Sequence, residues 1–102
     1  MRLTASQVSC IRDGVAKHFG ATSHVWLFGS RVDDQLRGGD IDLYIEPETQ
    51  DPDSLVDAKL HFLSEMHRHM GEQKIDVVLR RAAFQEELPI YRIAKENGEQ
   101  LL

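Results

Sequence analysis

The sequence predicts an α/β-type (α+β) domain of two layers, with a small mixed sheet and flanking helices. Three observations lead to this. Residues 23–28 form an apolar run rich in strand formers, as expected of a strand buried on both faces. Residues 40–46 alternate strictly: Ile41, Leu43 and Ile45 face one way, and Asp40, Asp42, Tyr44 and Glu46 the other. Helical patterns stand before, between and after the strand-like runs, so the sheet is covered on at least one face.

Each element has its own signal. Thr4, with Gln7 three residues on, reads as a capping box. Val8, Ile11, Val15 and Phe19 then share one helical face, and Gly20 ends the helix. Pro47 stops the second strand and starts an acidic loop over residues 46–53. A second helix is expected over 53–70, with Val56, Leu60, Leu63, His67 and Met70 near one stripe and Gly71 closing it. Residues 74–79 (KIDVVL) read as a third strand, and 86–97 as a last helix ending at Gly98. The order of the strands is left open, and no internal repeat or linker interrupts the pattern.

With 102 residues, the chain is expected to form one domain with a single core. No apolar run approaches the ~20 residues of a membrane span. The N-terminal segment soon meets Asp13 and Lys17 and lacks the apolar stretch of a signal peptide. The single Cys10 excludes an internal disulfide and fits a reducing compartment, so a cytoplasmic protein is expected. The net charge is -5 and there is no basic stripe with interleaved aromatics, which argues against general nucleic-acid binding. Acidic chains still bind triphosphates when metal ions bridge carboxylate and phosphate.

The chemistry concentrates between Val25 and Glu46. Gly29-Ser30 follows an apolar strand, where glycine lets a backbone approach phosphate and where N–H groups and the Ser30 hydroxyl can donate to its oxygens. Arg31 would add a charge-assisted contact. Alone, Gly-Ser is more often a plain turn, and neither the P-loop nor the Rossmann glycine spacing is present. Asp40 and Asp42 point the same way from one strand, and carboxylates that close repel unless a cation sits between them. Mg²⁺ suits such a pair, completing its shell with water and triphosphate oxygens. Two solvated acids at a strand start are the plainer alternative. Asp76 tips the balance, because it interrupts an apolar strand where a lone charge is expensive. If that strand neighbours residues 40–46, Asp76 joins the carboxylate face, where it can share a second metal and accept a proton.

Gly29-Ser30, nine intervening residues, Asp40-Ile41-Asp42 and a separate aspartate on a later strand resemble the polymerase-beta-like nucleotidyltransferase superfamily. Within it, Gly29-Ser30-Arg31 and the run from Arg37 to Leu43 resemble the minimal nucleotidyltransferases, or MNT domains, and the layout extends the likeness over almost the whole chain. The resemblance implies a nucleotidyltransferase palm. Asp40, Asp42 and Asp76 would be its metal-binding and catalytic acids, Gly29 and Ser30 its triphosphate turn, and Arg31 a phosphate contact. It implies two Mg²⁺ ions and ATP as co-substrate, with transfer of AMP to a hydroxyl. It also implies a helical HEPN-type partner, in a toxin–antitoxin pair whose MNT member adenylylates and silences the toxin. A transferase acting on a small molecule beside a substrate-binding subunit is one alternative. An antitoxin that works by occlusion alone is another.

The remaining candidates are weaker. His61, His67 and His69 include no i,i+4 pair, and His67 is expected in the core or an interface. Cys10 falls off the apolar face of the first helix. Trp26 and Phe28 are expected in the core, and Tyr44 either packs or borders a nucleobase. Leu88, Ile90, Tyr91, Ile93, Leu101 and Leu102 either cover the sheet or form a docking surface.

Overall fold

A computed structural model describes residues 3–28, 41–71, 74–80 and 89–102, with Ile90 described by its backbone alone. Its elements are α1 (Ala5–Phe19), β1 (His24–Phe28), β2 (Ile41–Glu46), α2 (Pro52–Met70), β3 (Ile75–Leu79), α3 (Pro89–Asn97) and β4 (Glu99–Gln100). The four strands form one mixed sheet in the order β3-β2-β1-β4. β1 runs antiparallel to both β2 and β4, while β2 and β3 are parallel. This is the α+β arrangement expected, a mixed sheet with flanking helices. The helices cover both faces, α1 and α2 one and α3 the other, so there are three layers instead of two.

α1 starts as its sequence dictates. The Thr4 hydroxyl accepts from the Gln7 N–H, and the Gln7 side chain accepts from the Thr4 N–H. Gly20, at φ 114°, stops the helix in a conformation open mainly to glycine. Asp51 caps α2 through the Ser54 N–H, with Pro52 in the first turn.

Ile41, Leu43 and Ile45 turn toward α1 and α2 and join Ile11, Val15, Phe19, Val25, Leu27, Leu55, Phe62 and Met66 in the larger core. The opposite face of the sheet carries a smaller cluster of Trp26, Tyr44, Tyr91 and Ala94, closed by α3. Both faces of β1 are therefore buried, as its continuous apolar run requires.

α2 departs from expectation. Its core stripe is Leu55, Phe62 and Met66; of the expected stripe, Leu63 and Met70 pack half-buried against the core, whereas Val56 and Leu60 are 57% and 61% exposed and His67 lies on the surface. The helix carries two apolar stripes roughly 100° apart, and only one can face the sheet. The stripe bearing Phe62 wins, since its ring packs on Phe19 at 5.6 Å. Gly14 of α1 allows the close crossing: a Cβ there would stand 2.7 Å from the Met66 methyl and 3.1 Å from the Phe62 ring. Cys10, expected off the apolar face, is half-buried, with its sulfur 3.7 Å from that of Met66.

β4 was not foreseen, being only two residues long. It places Gln100 opposite Trp26 and Glu99 opposite Leu27, and Leu101 then joins the core. Among the described residues no helix is long and apolar enough to cross a membrane.

Gly98 makes the α3–β4 junction possible. Its N–H donates to the Ala94 carbonyl, and a Cβ would meet that carbonyl and, at 2.7 Å, the Leu27 carbonyl. Backbone cannot move aside as a side-chain tip can. Gly98→Ala is therefore expected to destabilise the protein by about 2 kcal/mol, read as a lower urea midpoint at unchanged slope. An unaltered midpoint would refute this close approach.

Candidate functional site

The polar face of the sheet is organised in rows. Because β1, β2 and β3 are neighbours in fixed register, Phe28, Asp42 and Asp76 stand side by side in the first row. Trp26, Tyr44 and Val78 make the second. The third begins with His24 opposite Glu46 and ends in Arg80, which follows β3 with the same parity. Neighbouring strands lie ~4.8 Å apart, so side chains in one row are adjacent.

The first row holds the two sequence-predicted acids that the described residues include. Asp42 and Asp76 are register partners on parallel strands, and their side chains leave the same face. Asp42 is half-buried, while the Asp76 side chain keeps 51% of its surface open. Lys74, also exposed, stands 4.0 Å from Asp76. Phe28, the register partner of Asp42, is followed directly by Gly29 in the chain. Gly29, Ser30, Arg31 and Asp40 lie outside the described residues.

Two adjacent carboxylates, one of them open to solvent, suit Mg²⁺, which takes one or two carboxylates and keeps the rest of its shell for water or phosphate oxygen. Among the described residues no cluster of three or more His, Cys, Asp or Glu forms a metal site. Asp40, the third acid expected from the sequence, stands two residues before Asp42 and lies outside the described residues.

The second row is packing. Tyr44 is fully buried, stacked on Tyr91 at 5.3 Å and set against Trp26 at 5.4 Å, so it does not border a ligand. Trp26 is core as expected, and Phe28 packs at the margin of this cluster.

The third row is a polar cluster that the sequence reading did not single out. The Tyr44 hydroxyl donates to Glu46 at 2.7 Å, Lys95 of α3 reaches the same carboxylate at 3.2 Å, and Arg80 stands 3.7 Å from it. The two cations also lie over aromatic rings, Arg80 over Tyr91 at 5.5 Å and Lys95 over Trp26 at 5.3 Å. Glu46, Gln50, Arg80 and Lys95 line a cavity of about 230 Å³. Strand parity was the available signal, since Glu46 follows Asp42 and Tyr44, and Arg80 follows Asp76. Burial pushes the Glu46 carboxyl up. The hydrogen bonds from Tyr44 and Lys95 and the charges of Lys95 and Arg80 outweigh it, and the group titrates below its ordinary range. Burial, and then the bond to Glu46, hold the Tyr44 phenol protonated.

No family model matches the chain, and no curated protein matches it significantly in sequence.

A carboxyl held low in the folded state contributes stability above its unfolded pKa and loses it as pH falls through the folded value. Glu46→Gln is therefore expected to lower the Tm at neutral pH by roughly 5 °C, with the gap closing as the buffer is acidified through the carboxylate range. A gap constant with pH would show that the Glu46 charge does not hold α3.

Proposed function

We propose that the chain is a Mg²⁺-dependent nucleotidyltransferase of the MNT type. It moves a nucleoside monophosphate, AMP from ATP, onto a hydroxyl of a partner protein. The observation that carries this reading is the pairing of Asp42 with Asp76 in one row, beside the strand end that leads into Gly29-Ser30. The partner that fits best is a helical HEPN-type toxin, silenced by the modification. That last step rests on the sequence resemblance.

The chain's own residues divide the work. Asp42 and Asp76, with Asp40, would hold the metal, which when bound neutralises charge developing on the phosphates. Gly29 and Ser30 would bind the β- and γ-phosphates through N–H and hydroxyl donors, with Arg31 adding a cation. Asp76, more open to solvent than its register partner Asp42, would take the proton of the acceptor hydroxyl. The acceptor oxygen then bonds to the α-phosphorus, the bond to the β-phosphate oxygen breaks, and pyrophosphate leaves. Holding hydroxyl and α-phosphate in line supplies much of the acceleration.

Intact mass of the protein encoded beside this chain, after incubation with the chain, Mg²⁺ and each triphosphate in turn, tests the reading. The expected outcome is a gain of one or more nucleoside monophosphates, abolished by Asp42→Asn. An unchanged mass from two proteins that do bind would overturn protein modification and favour occlusion or a small-molecule acceptor. A second measurement needs no partner. Mg²⁺ with ATP is expected to raise the Tm, the gain corresponding to about 2.7 kcal/mol at a hundred times Kd, and Asp76→Asn is expected to remove that gain.

A further inference from the structure

From the surface of α2 we infer that this chain self-associates through a two-fold antiparallel pairing of that helix with its copy. The flank of α2 beside its core stripe is organised as a seam, in which Val56 and Leu60 are exposed and Leu63 and Met70 are half-buried against the margin of the core. Asp53, Leu60 and His67 recur at seven-residue intervals, with Val56, Leu63 and Met70 three residues after each. That is the heptad spacing of helices that pack along their length. Val56 and Leu60, in its first half, are two of the three large apolar side chains most exposed among the described residues. With Pro52, Leu55, Lys59 and Leu79 they line an open apolar groove of about 430 Å³ along the flank of α2 beside the edge strand β3.

Charge selects the occupant. The beginning of α2 is acidic, with Asp51 at its cap and Asp53 and Asp57 after it, while its last turn carries His67, Arg68 and His69. An antiparallel copy sets acidic end on basic end and opposes the two helix dipoles. A parallel copy does neither. A two-fold axis near Leu60 brings that residue onto its own copy. It leaves Asp53 facing His67 of the partner subunit, because the two are seven residues from Leu60 on either side. Such an interface is self-complementary and closed, as a two-fold dimer requires. It lies on the opposite side of the sheet from Asp42 and Asp76, which stay open in the dimer.

Sedimentation of the full chain from low to high micromolar concentration reads this directly. The expected result is a reversible monomer–dimer equilibrium. Leu60→Asp is expected to weaken it by about tenfold or more, with circular dichroism unchanged, and with Tm unchanged at concentrations where both chains are monomeric because Leu60 is exposed there. Asp53→Lys should weaken the dimer, and adding His67→Glu should restore it, which a general loss of folding cannot mimic. A monomer at every concentration overturns the proposal, as does a dimer that survives both Leu60→Asp and Val56→Asp. Loss of binding to a different protein on Leu60→Asp, with the chain itself monomeric, would assign the groove to a heterologous partner and equally overturn it.

Discussion

The register of β2 against its two neighbours is the constraint on which the other features depend. β2 lies inside the sheet and has opposite chemistry on its two faces: Ile41, Leu43 and Ile45 on one, Asp42, Tyr44 and Glu46 on the other. A slip of one residue would drive two carboxylates into the larger core and push three branched aliphatics to the other side. Burying even one uncompensated carboxylate costs several kcal/mol, so the alternation and the pairing enforce each other. The same register sets Asp76 beside Asp42 and Arg80 in line with Glu46. Acid pair and polar cluster are two consequences of one alignment.

α3 then divides the polar face of the sheet. It lays Tyr91 and Ala94 on Trp26 and Tyr44, which needs an apolar second row, and carries Lys95 to the third row. Glu46 would be a costly charge so close to an apolar cluster if it stood alone. The Tyr44 hydroxyl, Lys95 and Arg80 supply its partners, and the two cations cover ring faces as they do so. The cluster therefore acts as a clamp, with one carboxylate joining β2, the end of β3 and α3. Because the clamp satisfies charge within the third row, the first row does not have to share its acids with the helix.

Most of the fold was legible in the sequence, because caps and strand alternation are local signals. Thr4 with Gln7, Gly20, and the strict alternation from Ile41 to Glu46 each imply one structure whatever surrounds them. What misled was α2, whose two apolar stripes have equal standing in the sequence. Only the shape of the neighbouring layer, with Phe19 waiting for Phe62 and Gly14 opening room for Met66, decides between them. β4 is too short to show periodicity and exists because Gly98 lets the chain turn tightly onto β1. At the candidate site, parity correctly put Asp76 on the acid face once its strand neighbours β2. The third row escaped notice because Glu46 and Arg80 each resemble a solvated strand end when read alone.

The acid pair itself bears on what the sheet end is for. Two full charges about 5 Å apart repel by roughly 1 kcal/mol in water-like surroundings and by ~3 kcal/mol near a protein surface. Lys74 relieves part of this, but at 4.0 Å from an exposed carboxylate it is a weak partner. A strand end with only a structural task has little need of a second carboxylate at Asp76, which is half open to solvent. In the third row the chain met the same problem by bringing cations to its carboxylate. In the first it left Asp76 half open, with Asp42 beside it. A cation from solution that lowers this repulsion also stabilises the fold, so binding and stability favour the same occupant. That coupling favours the first row, rather than the cavity lined by Glu46, Gln50, Arg80 and Lys95, for the cation that the proposed function requires.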